Sequence, residues 1–369
     1  SAEYSFQAQR ALKKTSVDWG KTSLMMMQGQ YNSLNTDRNI TITQTLAFPT
    51  VSATEVKVNQ AQTAASEQSY LLSKASLAWQ VKTTYNQLQY LLALQQLLQS
   101  QDTLLGNLAR AAALRYKAGE VGLLEKTSAE TQWMETQNQV QQNANLIAIE
   151  QSKLKTLLQS SGNPMPATTL AKAPGESFST ELDAVSNPHI NYWKYQAQGA
   201  HATRQVERNK FLPDITVGYF SQSLIGFQRT GGSEVFYDKS KKFTGWMLGA
   251  AIPLWFLPQT GRAQSAALHE KAAQRNYEAA QRQTEGAWNQ ALAELKRQQN
   301  NLNYYEGSAL SNAELILTQA QKAYRAGEIS YLEFLQGMKN AQTIRSGYLL
   351  ALSQYNATFF QIEYLNGKF

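Results

Sequence analysis

The 369 residues predict a mainly α fold with a small β part, built as duplicated long coiled-coil helical hairpins together with four strands. Three observations carry that reading. The stretch YKAGEVGLLEK (Tyr116–Lys126) returns almost unchanged as YRAGEISYLEF (Tyr324–Phe334), the mark of an internal repeat. Between 51 and 113 there is no proline and a single glycine, Gly106, so nothing breaks a helix there. Two pairs of segments alternate apolar and polar residues with period two, as strands do.

Taken in order, residues up to about Thr22 are expected to be helical and to lead into strands over SLMMMQGQYN (23–32) and NITITQTLAFPT (39–50). In the latter, Ile40, Ile42, Leu46 and Phe48 share one face, with Thr41, Thr43, Thr45 and Ala47 on the other. A long helix follows. Its apolar positions Leu71, Ala75, Ala78, Val81, Tyr85, Leu88 and Leu92 are spaced by threes and fours, the coiled-coil rhythm. About sixty helical residues would reach roughly 95 Å, a dimension no compact domain has.

The second half repeats the order. The helical stretch QAQGAHATRQVERNKF (196–211) leads to strands LPDITVGYFSQS (212–223) and FTGWMLGAAIPL (243–254), with a long loop over 224–242 between them. The next helix carries Ala266, Ala273, Tyr277, Ala280, Trp288, Leu292 and Leu295 on its apolar side. Both second strands end at a proline, Pro49 and Pro253, and the paths from there to the repeated turns differ by only four residues. The first half lacks a counterpart of Glu176–Pro188, so the natural chain is expected to start before Ser1. An export leader would have been removed.

Composition narrows the function classes. Mean hydropathy is −0.44 because Gln, Asn, Ser and Thr fill positions that a compact globule gives to Leu or Val, which suits long helices with thin apolar seams. The net charge is +7, but the basic residues are spread along the chain, against nucleic-acid binding. With no cysteine these residues hold no disulfide, zinc-thiolate site or lipid-accepting thiol. No run approaches the eighteen or so apolar residues of a spanning helix.

His189, His201 and His269 have no ligand-like spacing, and no nucleophile, base and acid constellation or phosphate-cradling glycine loop stands out. The chain is therefore read as non-enzymatic, with no catalytic, cofactor or metal residues. Met25, Met26 and Met27 raise the question of Cu(I) or Ag(I), which thioethers bind. On a strand, however, Met26 faces opposite to its two neighbours, so lipid-facing or barrel-packing methionine is the preferred reading.

Strands of about ten residues with one apolar face suit a tilted bilayer crossing. Tyr31, Phe48, Tyr219, Phe220, Phe243 and Trp255 lie near the strand ends, where an aromatic girdle would sit. A half-buried soluble sheet produces the same alternation. Four strands cannot close a barrel, and lipid tolerates no open edge, so membrane-spanning strands require several copies to share one barrel.

The paired RYKAGEVGLLEK and AYRAGEISYLEF, the entry FLPDITVGYF, the exit GAAIPLWF followed by GRAQSAALHEKAA, and the tail LLALSQYNATFFQIEYLNGK occur together and in order. In this the chain resembles the TolC-like outer membrane factors, exit ducts of bacterial tripartite efflux pumps and type I secretion systems. The tail and the long-helix pattern look closest to the heavy-metal-efflux branch. The resemblance implies a homotrimer with a shared trimeric β-barrel of twelve strands, four per protomer, continued by a helical tunnel through the periplasm. On that reading 1–369 is one elongated duplicated domain. Barrel strands lie in 23–49 and 212–254, helical tunnel in 1–22, 50–211 and 255–369, and hairpin tips at 116–126 and 324–334.

The implied partners are a periplasmic adaptor, an inner-membrane RND-type pump and outer membrane lipid, in the outer membrane and periplasm of a Gram-negative bacterium. Substrate, heavy-metal cations on the branch named, would pass without chemistry. The resemblance assigns adaptor contact to tip residues Tyr116, Lys117, Gly119, Tyr324, Arg325 and Gly327, and a tunnel constriction to Glu125 and Glu333. As an alternative, the two glutamates are solvated first-turn residues complementing helix dipoles. The family's basic partner in the second tip is replaced by Ile329, so a salt-bridge latch of that kind is not expected. The rival function is a structural or docking module, fused to or docking on its pump without forming a complete pore alone.

Overall fold

The computed structural model describes residues 2–15, 19–174 and 182–367. In chain order the elements are α1 (Ala2–Leu12), β1 (Ser23–Gly29), β2 (Asp37–Leu46), α2 (Pro49–Lys117), α3 (Leu123–Leu158), α4 (Pro188–Asn209) and β3 (Asp214–Gln222). They continue as β4 (Gly226–Thr230), β5 (Ser233–Tyr237), β6 (Phe243–Ala251), α5 (Phe256–Tyr304), a π-helical turn (Tyr305–Ala309), α6 (Leu310–Ala326) and α7 (Tyr331–Leu365). Two compact units divide the chain: Ser1–Leu71 with Pro188–Arg282, and Leu72–Asn187 with Gln283–Phe369. No described helix is long and apolar enough to cross a membrane.

The first unit holds a four-stranded antiparallel sheet in the order β1-β2-β3-β6. Period-two alternation gives it two unlike faces. Leu24, Ile42, Tyr219 and Trp246 stand in one cross-strand row, with the Tyr219 and Trp246 rings 5.3 Å apart. Although apolar, this face stays open to solvent, Leu24 at 70% and Trp246 at 81%. The other face combines threonines with glycines. Phe220 lies over Gly245, where a Cβ would meet its ring at 2.7 Å, and Thr43 and Met247 close over Gly218 at 2.9 Å. Among the described residues β1 and β6 each pair along one side only.

Three sequence expectations need correction in this unit. The N-terminal helix stops at Leu12 and tightens into a 3-10 turn over Lys13–Thr15 rather than continuing to Thr22, and Trp19–Thr22 are irregular. The first strand spans seven residues, not ten. Residues 224–242, expected to be loop, contain the β4–β5 hairpin. Its turn is Gly231-Gly232 with φ of 60° and 91°, a two-residue turn whose backbone twist matches that of the flanking strands. The signal was present in the sequence as Gly-Gly between FQR and EVF.

A buried carboxylate ties this hairpin to the sheet. Asp37, fully buried, accepts hydrogen bonds from the hydroxyls of Ser33 at 2.7 Å and Ser223 at 3.0 Å and from the Ile225 N–H at 2.9 Å. Beyond the other end of the strands, the Asn209 amide donates to the Thr50 carbonyl at 3.1 Å, and the Phe211 and Phe256 rings stack at 6.4 Å. These contacts hold the helix ends beside the strands they continue.

In the second unit α2 buries Leu91, Leu98, Leu105 and Ala112 at seven-residue spacing, with Leu88 and Ala109 beside them. Leu91 takes the deep position expected of Leu92, which is half-buried. The reason is that α2 has neighbours on two sides. Asn143 of α3 donates to the Leu91 carbonyl at 2.9 Å, while Asn86 donates to the Ser353 carbonyl of α7 at 3.0 Å. Asn356 of α7 donates to Asn86 and to the Ala171 carbonyl and accepts from the Ala173 N–H. This clasps the irregular segment after α3 against both helices. The halves also differ in their long helices, since α2 is continuous while its counterpart is interrupted by the π-helical turn between α5 and α6.

The glycine under Phe220 gives a stability prediction. Gly245→Ala should cost about 1–3 kcal/mol by overpacking, whereas Gly249→Ala, whose Cβ would sit 3.7 Å from Thr216, should be tolerated. Loss of strand signal with temperature, followed by circular dichroism on both variants, checks this; equal melting sinks it.

Candidate functional site

The repeated YxAGE stretch builds the same backbone twice. Gly119 (φ 78°) and Gly327 (φ 77°) each end a helix in the left-handed region. In the first copy the Gly119 N–H donates to the Tyr116 carbonyl and the Glu120 N–H to Arg115; in the second, Gly327 donates to Tyr324 and Glu328 to Ala323. That bond pair is the Schellman motif, which satisfies the last carbonyls of a helix and favours glycine because a Cβ is strained there. The repeat is therefore conserved between the halves by a backbone requirement. Lys117 and Arg325, both exposed, place cations at the negative ends of their helices.

The next helix starts differently in each tip. In the second, Ser330 caps α7: its hydroxyl accepts from the Glu333 N–H at 3.3 Å, and the Glu333 carboxylate accepts from the Ser330 N–H at 2.7 Å. This capping box reads directly from Ser-Tyr-Leu-Glu. In the first tip the equivalent N-cap is Gly122, with no side chain to cap the Glu125 N–H, so the reciprocal capping box cannot form. Glu125 turns to Arg115, whose Nη1 lies 3.7 Å away, while Arg115 Nε donates to Glu120 at 3.3 Å. Two glutamates at equivalent positions thus do unlike things. Glu333 is an exposed helix cap; Glu125 is half-buried and ion-paired.

The aromatic residues also divide. Tyr324 stacks on Phe334 at 4.9 Å and meets Tyr331 edge-on at 6.3 Å. Tyr331 packs on Ala109, Ala112 and Ala129 of the first hairpin, joined by Trp133. Tyr116 instead stays exposed, with the Lys126 ammonium 5.6 Å above its ring. Trp133 is steadied by donating to Asp102 at 2.9 Å and crosses α2 at Gly106, where a Cβ would crowd its indole nitrogen. Arg115 and Trp133 are the tip residues that sequence reasoning passed over, whereas Tyr331 stood out in the sequence as a bulky residue present only in the second tip. Their role depends on contacts between segments far apart in the chain.

Electrostatics follow from this packing. Burial, then the charges of Tyr324 and Glu125, push the Tyr331 hydroxyl up to about 12, so it stays protonated, and it is buried without a hydrogen-bond partner. Burial followed by the Glu125 charge also raises Tyr324. The Ser330 backbone and side-chain bonds hold the Glu333 carboxyl below its ordinary range.

The remaining candidates lie elsewhere. His201 Nδ1 sits 2.6 Å from Glu270, which also binds Arg204 at 2.7 Å, and burial holds His189 below the ordinary imidazole range. Met25 and Met27 share the threonine and glycine face of the sheet, while Met26 lies on the apolar face, 3.3 Å from Arg38 Nη2. Among the described residues no cluster of three His, Asp or Glu is placed to hold a metal.

Antiparallel strands with one exposed apolar face, long paired helices and two duplicated tips define an outer membrane channel fold. The outer membrane efflux protein family matches residues 184–368, and the chain belongs to that family. Among solved structures it is similar to CusC, with a TM-score of 0.82 at 16% identity over all of this chain and 88% of that one. It is similar to the outer-membrane channel OprN (0.82, 15%, 100% and 86%) and to VceC of Vibrio cholerae (0.78, 16%, 100% and 92%). At such identities the likeness establishes the fold, mainly α with a small β part. No curated protein matches the chain by sequence.

The capping box predicts a pH response. A carboxyl held below its ordinary range stabilises the first turn of α7 above that range, and the stabilisation is lost as pH falls through the folded value. Protection of the amides in that turn, relative to their intrinsic exchange rate, should therefore fall below about 4.5, and Glu333→Gln, which can still cap, should flatten the response. Ser330→Ala should weaken the turn by about 1 kcal/mol at neutral pH. An acid response that survives in Glu333→Gln counts against the assignment.

Proposed function

We propose that this chain is the outer membrane channel component of a tripartite efflux pump, assembled as a homotrimer that conducts substrate passively from a periplasmic adaptor and an inner-membrane RND-type pump to the exterior. The observation that carries the reading is the sheet. It exposes a predominantly apolar face and, among the described residues, has pairing partners along only one side of β1 and of β6. In lipid the apolar face is solvated and the free edges must be paired. Three copies supply twelve strands, with β6 of one copy pairing with β1 of the next.

In this reading the tips at 116–126 and 324–334 form the periplasmic constriction and meet the adaptor through Tyr116, Lys117, Gly119, Tyr324, Arg325 and Gly327. Opening separates the second hairpin from Ala109, Ala112 and Ala129. Tyr331 supports a low cost for that step. Its hydroxyl is buried and unpartnered in the packed state, a penalty of about 1–3 kcal/mol that exposure relieves. An adaptor that binds the separated form better then shifts the equilibrium. Arg115 acts the other way, because its guanidinium donates to the Tyr324 hydroxyl of the second hairpin as well as pairing with Glu125 of its own. Glu125 and Glu333, repeated threefold, would favour cations, which fits the metal cargo implied by the heavy-metal-efflux resemblance.

Single-channel recording in planar bilayers tests the proposal. The protein should conduct as a trimer, Arg115→Ala should open more often, and Tyr331→Phe, which removes the stranded hydroxyl, less often. Paired replacement Glu125→Gln and Glu333→Gln should lower the cation-to-anion permeability ratio severalfold. A monomer without conductance sinks the channel; an unchanged ratio sinks the acidic constriction alone.

A further inference from the structure

Accepting that the sheet spans a bilayer, its loop-bearing end carries a feature that a spanning sheet does not by itself require. Residues 38, 40 and 42 share a face, so Arg38 stands directly above the apolar surface that contains Ile40 and Ile42, and its guanidinium reaches Met26 on the neighbouring strand at 3.3 Å. The β2–β3 ladder continues beyond its last strand pair, where the Ser223 N–H donates to the Arg38 carbonyl at 2.9 Å. One step past Gln222 and Phe243 in the β3–β6 register, Lys242 comes level with Ser223 just outside β6. Arg38 and Lys242 are therefore two strands apart, roughly 10 Å, at the rim of one apolar surface.

Lys239 and Lys241 extend the positive rim in the adjoining turn, and all four cations are exposed. Among the described residues none has a carboxylate within ion-pair distance. The nearby acids are otherwise occupied. Asp37 is buried in its cluster of donors, Asp238 accepts the N–H and hydroxyl of Ser240, and Glu234 stands opposite Arg229 across β4 and β5. The Lys242 ammonium donates to the Lys239 carbonyl at 2.9 Å, which fixes the turn while retaining the charge.

We propose that this rim is a binding site for an acylated lipid carrying phosphate. The phosphate lies between Arg38 and Lys242, with Lys239 and Lys241 adding attraction, and the acyl chains run down the face formed by Leu24, Ile42, Tyr219 and Trp246. A guanidinium presents donors in a fork that fits phosphate oxygens. Lysine adds a compact charge, and cations close to a lipid surface strengthen binding to anionic headgroups. Met26 and Ile40 join the cationic rim at Arg38 to the exposed apolar rows, and that junction selects a lipid over a free anion.

Native mass spectrometry of the detergent-solubilised channel, after addition of dihexadecanoyl phosphatidic acid or of phosphatidylcholine with the same chains, tests this. Phosphatidic acid should be retained preferentially, and retention should fall about fivefold for each cation removed in Arg38→Gln, Lys242→Gln and the quadruple variant with Lys239→Gln and Lys241→Gln. Equal retention of the two lipids, or unchanged retention in the quadruple variant, overturns the site. Full competition by equimolar inorganic phosphate overturns the lipid and leaves a phosphate site. Conductance is recorded on the same preparations. A channel that inserts and conducts but shows no headgroup preference rejects this inference alone, whereas failure to insert rejects the reading beneath it.

Discussion

Backbone hydrogen bonding along the edges of the sheet is the constraint on which the rest of this protein turns. Four strands pair with one another and, among the described residues, leave β1 and β6 each with one unpaired side. In water such edges invite aggregation; in lipid they are not tolerated at all. In the proposed trimer, closing them through further copies satisfies the edges and turns the apolar rows outward at the same time. The glycines beneath Phe220, Thr43 and Met247 belong to this solution, because they let bulky side chains lie flat on the opposite face without prying the strands apart.

A different economy governs the helices. Their seams are narrow and rich in alanine, so part of the specificity comes from a few buried polar groups. Asn86, Asn143 and Asn356 each bond to a neighbouring backbone carbonyl, and such bonds lock register because a slip would strand a buried amide. Flanked on two sides, α2 cannot behave as a two-stranded coiled coil, which is why its buried positions depart from a single stripe.

The tips show how a duplication becomes asymmetric. Both copies keep the Schellman turn, since glycine answers the same steric demand in each. Replacing an N-cap glycine by serine then changes the job of a glutamate three residues later. Glu333 closes a capping box, while Glu125, lacking that partner, pairs with Arg115 beside the buried Tyr331. The π-helical turn at Tyr305–Ala309 adds a second asymmetry, present only in the half that carries the capped tip.

The sequence by itself determined the repeat, the existence and type of the long helices, the alternation of the strands and the backbone of both tips. All of these arise from local periodicity or from glycine's access to positive φ. It also contained the Gly-Gly hairpin and the Ser-x-x-Glu box in legible form. Only the tertiary structure decided that Arg115 meets Tyr324, that Tyr331 is buried against three alanines, that Asp37 anchors the hairpin and that Arg38 and Lys242 come level. Each of these depends on which segments distant in the chain meet, and at what register. A period of two or three and a half residues specifies a face, but the neighbour that covers it is chosen by packing across the whole fold.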